Sequence, residues 1–281
     1  MTPRTTPVSS RNQWFQRAEA LKRDRTKRRR ERLFFVEGVR SINAMRANGG
    51  WQVDAYLYAG GRRLSKWAQE VLAESQAATH LELAPALMAA LSDKEDTSEV
   101  IALVRMPDPE RALPLPSVGH PVVLLDRPSN PGNLGSIIRS VDAFAGMGIV
   151  ITGHSVDPYD PQVIRASAGA FFSVPVAALE QSVEIEAWLK GAREACPGLK
   201  VAGTSAKASQ DTSQCDLSGP LVLCFGNETL GLSAGLKSRC DMLARIPMAG
   251  VASSLNLACA VTAFLYEARR QGARPGDQKP E

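Results

Sequence analysis

Three short stretches concentrate the residues that could do chemistry, and each directly follows an apolar run. The first is Asp126-Arg127-Pro128-Ser129-Asn130-Pro131-Gly132-Asn133-Leu134-Gly135-Ser136-Ile137-Ile138-Arg139. In it, Asn133 or Asn130 can cap a helix whose Leu134, Ile137, Ile138, Val141 and Ala145 form one stripe. At about 100° per residue, Arg139 falls roughly 145° from the centre of that stripe and projects away from the core. Periodicity alone reads it as a solvated arginine; a function needs partners. The second stretch, Phe225-Gly226-Asn227-Glu228-Thr229-Leu230-Gly231-Leu232, sets two glycines around a lone glutamate. Glycine there permits positive φ or close approach of a ligand to the backbone, although an ordinary strand-to-helix turn has the same composition. The third, Ile246-Pro247-Met248-Ala249-Gly250-Val251-Ala252-Ser253-Ser254-Leu255-Asn256, precedes a final helix that Ser253 or Ser254 can cap, with Leu257, Val261, Phe264 and Leu265 on its buried face. Helix N-termini with free amides suit anionic or carboxylate-bearing ligands.

Other chemistries are excluded by what is missing. No G-x-G-x-x-G follows a strand and no G-x-x-x-x-G-K-[ST] occurs, which removes dinucleotide dehydrogenases and P-loop ATPases. There is no G-x-S-x-G elbow and no H-E-x-x-H. Cys196, Cys215, Cys224, Cys240 and Cys259 form no C-x-x-C, and His80, His120 and His154 are far apart. Buried free thiols are expected, with no metal site. His154 and Ser155 follow a strand end and read as a loop.

The elements that must position the three stretches are short apolar strands separated by helices. Val122–Leu125, Ile149–Ile151, Leu199–Ala202, Leu221–Phe225 and Met242–Ile246 are candidate strands, and such runs indicate an α/β fold with a parallel sheet covered on both faces. Before them, residues 11–105 read as a smaller αβ domain. It holds a helix over Asn12–Arg32, a strand or turn at Leu33–Gly38, a helix over Val39–Asn48, a strand at Val53–Tyr58, a helix over Ser65–Ser75 and a strand at Val100–Val104. Met106 to His120 carries Pro107, Pro109, Pro114 and Pro116 and reads as an extended linker, 106–120. The second domain then spans 121–271, between a disordered lead over 1–10 and a polar tail over 272–281.

Composition agrees. With 44% hydrophobic and 22% charged residues the chain can bury a core. The longest apolar run, Leu257–Tyr266, is half of the roughly 20 residues a bilayer span needs. No membrane segment is expected, and the polar start lacks the apolar centre of a signal peptide, so the expected location is cytoplasmic. The formal charge of +4 conceals a split. The first 40 residues hold 12 Lys/Arg against four acids, a net +8, and the remaining 241 hold 21 against 25, a net −4. Lys22, Arg23, Arg25, Lys27, Arg28, Arg29, Arg30 and Arg32 crowd one segment. A basic end on a mildly acidic body suggests a polyanion partner. Trp14 and Phe15 are read as core residues rather than base-stacking ones.

Taken in order, the three stretches resemble the SpoU/TrmH family of SPOUT methyltransferases. Asn130-Pro131-Gly132-Asn133-Leu134-Gly135 with Arg139 resembles its first motif, Phe225-Gly226-Asn227-Glu228 with Gly231-Leu232 its second, and Ile246-Pro247-Met248 with Ser254-Leu255-Asn256 its third. The basic helix with Phe34-Phe35-Val36-Glu37-Gly38 is similar to the L30e-like substrate-binding domain of ribosomal-RNA members. The resemblance implies methyl transfer from S-adenosylmethionine to a ribose 2′-oxygen in RNA, a trefoil-knotted SPOUT domain and a homodimer. It implies catalytic roles for Arg139, Asn133, Glu228 and Asn256. It implies cofactor contacts at Gly203, Thr204, Leu223, Cys224, Phe225, Gly226, Ile246, Pro247, Met248, Ser254, Leu255 and Asn256. Arg165, in a recurring family segment, joins the basic helix as a candidate RNA contact. A sizeable N-terminal domain favours ribosomal RNA over transfer RNA, the alternative; a non-catalytic RNA-binding or ribosome-assembly role is the reading of another class. Some ribosomal members confer antibiotic resistance by modifying one drug-site nucleotide, and the sequence is compatible with that role.

Overall fold

The structure, a computed structural model, describes residues 4–92, 96–108 and 113–272. In chain order its elements are β1 (Arg4–Val8), α1 (Gln13–Arg23), α2 (Arg25–Glu31), β2 (Leu33–Glu37), α3 (Val39–Ala47), β3 (Val53–Ala59), α4 (Lys66–Ala73), β4 (Thr79–Leu83), α5 (Pro85–Leu91) and β5 (Val100–Arg105). There follow β6 (Val122–Asp126), α6 (Pro131–Ala143), β7 (Gly148–Thr152), α7 (Pro161–Ala166), β8 (Val176–Leu179), α8 (Ser182–Ala195), β9 (Lys200–Thr204) and β10 (Gln210–Asp211). The chain continues through β11 (Leu221–Phe225), α9 (Ala234–Lys237) and β12 (Met242–Arg245) to α10 (Leu257–Gly272). Two compact units result: Met1–Arg111 with Asp157–Phe172, and Ala112–Val156 with Ser173–Glu281.

The first unit is a five-stranded sheet of order β1-β4-β3-β5-β2, parallel over β1, β4 and β3 and antiparallel over β3, β5 and β2. Every residue of β2 is buried, which explains its unbroken apolar run. Leu33 and Phe35 face a core built with Phe15, Leu21 and Leu103. Phe34 belongs to an aromatic cluster with Trp51, Tyr159, Phe171 and Phe172, at ring separations of 5.8, 5.0, 5.9 and 6.5 Å. Phe15 is buried and Trp14 packs partly buried against the first core.

Here the structure corrects the domain reading. Residues 157–172, expected within the second domain, are built into the first unit, because their aromatic rings cover one side of β2. Arg4–Val8, expected to be a disordered lead, is an edge strand beside β4, a position that tolerates Pro7. The tail beyond Gly272 lies outside the described residues, as does the linker over 109–112. The basic helix is two helices: Asp24 breaks it and accepts from the amide of Thr26 at 2.7 Å, and Arg32 closes α2 in the left-handed region.

Arg28 is a second correction. Its place in the crowded basic segment groups it with RNA-facing cations, yet it is 1% exposed. Its Nε and Nη2 donate to Asp157 at 2.8 and 2.7 Å, and its Nη1 to the carbonyls of Leu21 and Lys22 at 3.0 and 3.1 Å. Asp160, which caps α7, lies 3.5 Å from the same guanidinium. Four acceptors around one buried cation make Arg28 the fastener of the 157–172 segment, not a surface group.

The second unit is a seven-stranded sheet of order β10-β12-β9-β11-β6-β7-β8, parallel at every pairing. The expected strands all form; β8 and β10 are additional. Strands β6, β7 and β11 are buried at every residue, as their continuous apolar runs require.

Removing one partner of a buried ion pair costs about 3–5 kcal/mol. Arg28→Ala should therefore lose about that much stability in urea unfolding, whereas the exposed Arg30→Ala should change it by less than about 0.5 kcal/mol. Equal effects would contradict the fastener role.

Candidate active site

Parallel register brings the three stretches to one edge of the second unit. Gly203 of β9 lies beside Cys224 of β11 on one side and Leu243 of β12 on the other, while Phe225 pairs with Leu125 of β6. The carboxyl ends Thr204, Phe225-Gly226, Ile246 and Asp126 therefore adjoin, where open α/β sheets place their ligands. Two glycines are fixed by space. A Cβ at Gly226 would stand 2.0 Å from backbone atoms of Gly231 and Leu232, and one at Gly203 would stand 2.6 Å from Cys240 Sγ.

The caps settle which asparagine does what. Asn130 caps α6, accepting from the Asn133 amide at 3.0 Å, with Pro131 in the first turn. The side chain of Asn133 is thereby released for other contacts. At α10 the cap is Asn256, not Ser253 or Ser254: its Oδ1 accepts from the Ala258 amide at 2.8 Å.

These side chains meet. Asn133 Nδ2 donates to Glu228 Oε1 at 3.2 Å, and Asn256 Nδ2 donates to Asn133 Oδ1 at 2.9 Å. Ser129 adds its amide and hydroxyl to Glu228 Oε2 at 3.3 and 2.9 Å. Asn227 braces the turn, accepting from the amides of Thr229 and Leu230 and donating to the carbonyl of Arg127 at 2.9 Å. Burial pushes the Glu228 carboxyl up, but hydrogen bonds from its own amide, Asn133 and Ser129 outweigh it and hold the pKa below the ordinary 4.5. Glu228 is thus a fixed anion that orients Asn133 and a poor proton acceptor. Ser129, Asn227, Asp126 and Arg127 were not singled out from sequence; only their position inside the stretches could have pointed to them.

Arg139 does not join this cluster. It is exposed on α6, six residues beyond Asn133, with no ion-pair partner among the described residues. Helix α6 packs on α10 through Ser140 and Thr262, whose hydroxyls lie 2.7 Å apart.

The cofactor candidates divide. Leu223, Cys224 and Phe225 are buried at 0, 0 and 1%, and Phe225 packs edge-on to Phe264 at 5.4 Å. Their side chains belong to the core, so only their backbone can face a ligand. Thr204 Oγ1 donates to the Cys224 carbonyl at 3.1 Å. Pro247, Met248, Ser254, Leu255 and Asn256 are exposed, and Leu230 at 72% adds apolar surface at the same edge. Exposed apolar side chains beside glycines fit a ligand bearing an aromatic base.

The basic candidates divide too. Arg23, Arg29, Arg30 and Arg32 are exposed, as is Arg165 on α7, but Lys22 Nζ donates to the Leu91 carbonyl at 2.7 Å and Lys27 pairs with Glu31 at 2.5 Å. Arg25 is half-buried.

Residues 120–266 match the SpoU rRNA Methylase family. The chain belongs to that family. Residues 12–102 match the SpoU L30e-like domain. The chain is 42% identical to the 23S rRNA (uridine(2479)-2′-O)-methyltransferase of Streptomyces viridochromogenes, over 96% of this chain and 94% of that protein. It is similar to the crystal structure of the SpoU methyltransferase AviRb from that organism in complex with AdoMet, with TM-score 0.87 and 42% identity over 93% of this chain and 98% of that one. An AdoMet-bound rRNA methyltransferase from Sinorhizobium meliloti has TM-score 0.82 and 31% identity over 95% and 98%. This SpoU methylase is an S-adenosylmethionine-dependent rRNA methyltransferase, and its N-terminal unit is L30e-like.

Glu228→Gln keeps the shape and removes the charge. Loss of charge-assisted hydrogen bonds of this kind should lower kcat roughly 10- to 100-fold with little change in S-adenosylmethionine affinity by calorimetry. Because the Glu228 pKa is lowered, its ionised network persists above pH 4.5 and is lost only as pH falls through the lower value. The wild-type pH–rate profile should therefore show no acid limb from Glu228 above pH 4.5.

Proposed function

We propose that this rRNA 2′-O-methyltransferase acts on 23S rRNA in the cytoplasm, as a homodimer, with Arg139 at the target ribose. The observation that supports this most is the joining of Asn133, Glu228 and Asn256 at the edge where the cofactor segments converge, in a chain alike over 96% of its length to a 23S rRNA enzyme. The trefoil knot belongs to the same reading. Its support is the path of the chain, which passes from β11 beyond β9 to β12 and then packs α10 on α6 and β11.

S-adenosylmethionine supplies an electrophilic methyl group. Gly203, Thr204, the backbone of Leu223–Gly226, Ile246–Met248 and Ser254–Asn256 would hold it. Asn133, oriented by Glu228 and Asn256, aligns the ribose, since methyl transfer between fixed partners gains mainly from alignment. A guanidinium does not give up its proton in proteins. Arg139 therefore acts as a fork on the neighbouring phosphate and steadies the oxygen as its proton passes to solvent water. Its lack of an ion-pair partner among the described residues suits a residue completed by RNA and a second copy. Arg23, Arg29, Arg30, Arg32 and Arg165 supply sequence-independent phosphate contacts.

No structural observation favours a transfer-RNA substrate. The L30e-like domain favours ribosomal RNA, as does likeness over nearly the whole length of a 23S enzyme. Incubated with labelled cofactor and separate 23S, 16S and transfer RNAs, the enzyme should label 23S rRNA selectively; labelling of transfer RNA instead would overturn the substrate. Arg139→Lys should lose at least about tenfold in kcat, as expected when a bidentate fork becomes a point charge. Full turnover in Arg139→Lys would exclude the fork.

A further inference from the structure

Arg127 follows β6 with φ +55°, in the left-handed region that glycine occupies most easily. Its alkyl chain lies on Gly153, itself at φ +65°, so closely that a Cβ on residue 153 would stand 2.8 Å from Arg127 Cγ. Strained backbone of this kind persists where its surroundings over-determine it, and it gathers at functional sites. A glycine would meet the backbone demand with less strain, so whatever the position gains comes through the arginine side chain.

That side chain and its neighbour tie down the Glu228 turn. The Arg127 guanidinium donates to both oxygens of Asp126, at 2.8 and 3.0 Å, and reaches the Gly231 carbonyl at 3.4 Å. Asp126, 4% exposed, accepts in addition from the Ser233 amide at 2.8 Å. The Arg127 carbonyl accepts from Asn227 at 2.9 Å. The segment carrying Glu228 is thus held before the glutamate, at Asn227, and after it, at Gly231 and Ser233. At the Asp126 carboxyl, burial raises the pKa, but bonds from Arg127 and Ser233 outweigh it and leave it lowered, so the pair stays ionised.

We infer that Arg127, anchored by Asp126, is a positioning residue for methyl transfer: it fixes the 227–233 turn so that Glu228 meets Asn133. This rests on the reading that Glu228 orients the active site. Arg127 touches neither cofactor nor ribose in this role; it acts through the turn.

The test is Arg127→Gly, which removes the guanidinium and relieves the left-handed strain together. A residue needed only for folding would lower Tm on removal. A positioning residue gives the opposite pattern: Tm unchanged or raised, S-adenosylmethionine affinity within about threefold, and kcat down roughly tenfold or more, the scale of one charge-assisted hydrogen bond. Arg127→Lys should recover part of the rate, and Asp126→Asn should reproduce the kcat loss. The fall caused by Arg127→Gly should also vanish in a Glu228→Gln background, because the two act in series. Wild-type kcat in Arg127→Gly would overturn the proposal, as would parallel losses of Tm, affinity and rate, or an undiminished effect in the Glu228→Gln background. A fully active Glu228→Gln enzyme would instead remove the Glu228 reading and the proposal with it. Loss in Glu228→Gln with indifference in Arg127→Gly would sink the proposal alone.

Discussion

The parallel register of β12, β9, β11 and β6 is the constraint on which the site depends. Asn133 and Glu228 are 95 residues apart in sequence, and Asn133 and Asn256 are 123 apart, yet both pairs are within hydrogen-bond distance. Nothing local could hold them there. Pairing Gly203 with both Cys224 and Leu243 aligns the strands so that three separate loops leave one edge in the same direction. Buried strands with apolar runs fix that register, because a slip by one residue would exchange the faces of every side chain. The polar contacts above the sheet then select one arrangement of loops whose backbone must approach as closely as Gly226 does to Gly231.

The electrostatics of the site follow from those loops. A glutamate bonded by Ser129, Asn133 and its own amide is kept ionised and spent on orientation, and the nearby Asp126 is kept ionised by Arg127 and Ser233. Neither carboxylate is tuned upward in the way that a general base near neutrality requires. The chemistry is one of alignment and charge placement, which suits a reaction whose electrophile arrives already activated. In the first unit a different balance rules: the Phe34 aromatic cluster and the Arg28–Asp157 pair make residues 157–172 part of that unit. The basic first unit is therefore not released intact by cutting the chain before residue 112. Such a cut would strip Phe171, Phe172 and Asp157 of their partners.

Much of this was legible in the sequence, for identifiable reasons. Runs such as Leu221–Phe225 and Val122–Leu125 are apolar on both faces, the pattern of a strand covered on both sides, as in a parallel sheet flanked by helices. The motif residues Asn133, Glu228 and Asn256 were readable because glycines and prolines marked the loops that carry them. Arg28 was not, because a run of eight cations in eleven residues does not say which one turns inward, and its partner lies 129 residues away. Asp24 looked like one acid in a basic helix, while its side chain caps a new one. Strand β1 was hidden by Pro7 and two threonines, a composition that reads as coil until β4 is there to pair with it. Arg127 was hidden because φ is not written in a sequence when the residue is not glycine.

In the proposed reaction a ribose hydroxyl, rather than a base atom, meets the methyl donor at this edge. The most direct measurement is alkaline hydrolysis of 23S rRNA after labelling with methyl-tritiated S-adenosylmethionine. A 2′-O-methyl group blocks cleavage of the adjoining phosphodiester, so the label should be recovered in a single alkali-resistant dinucleotide. Label recovered only in mononucleotides, with every linkage cleaved, would contradict the account.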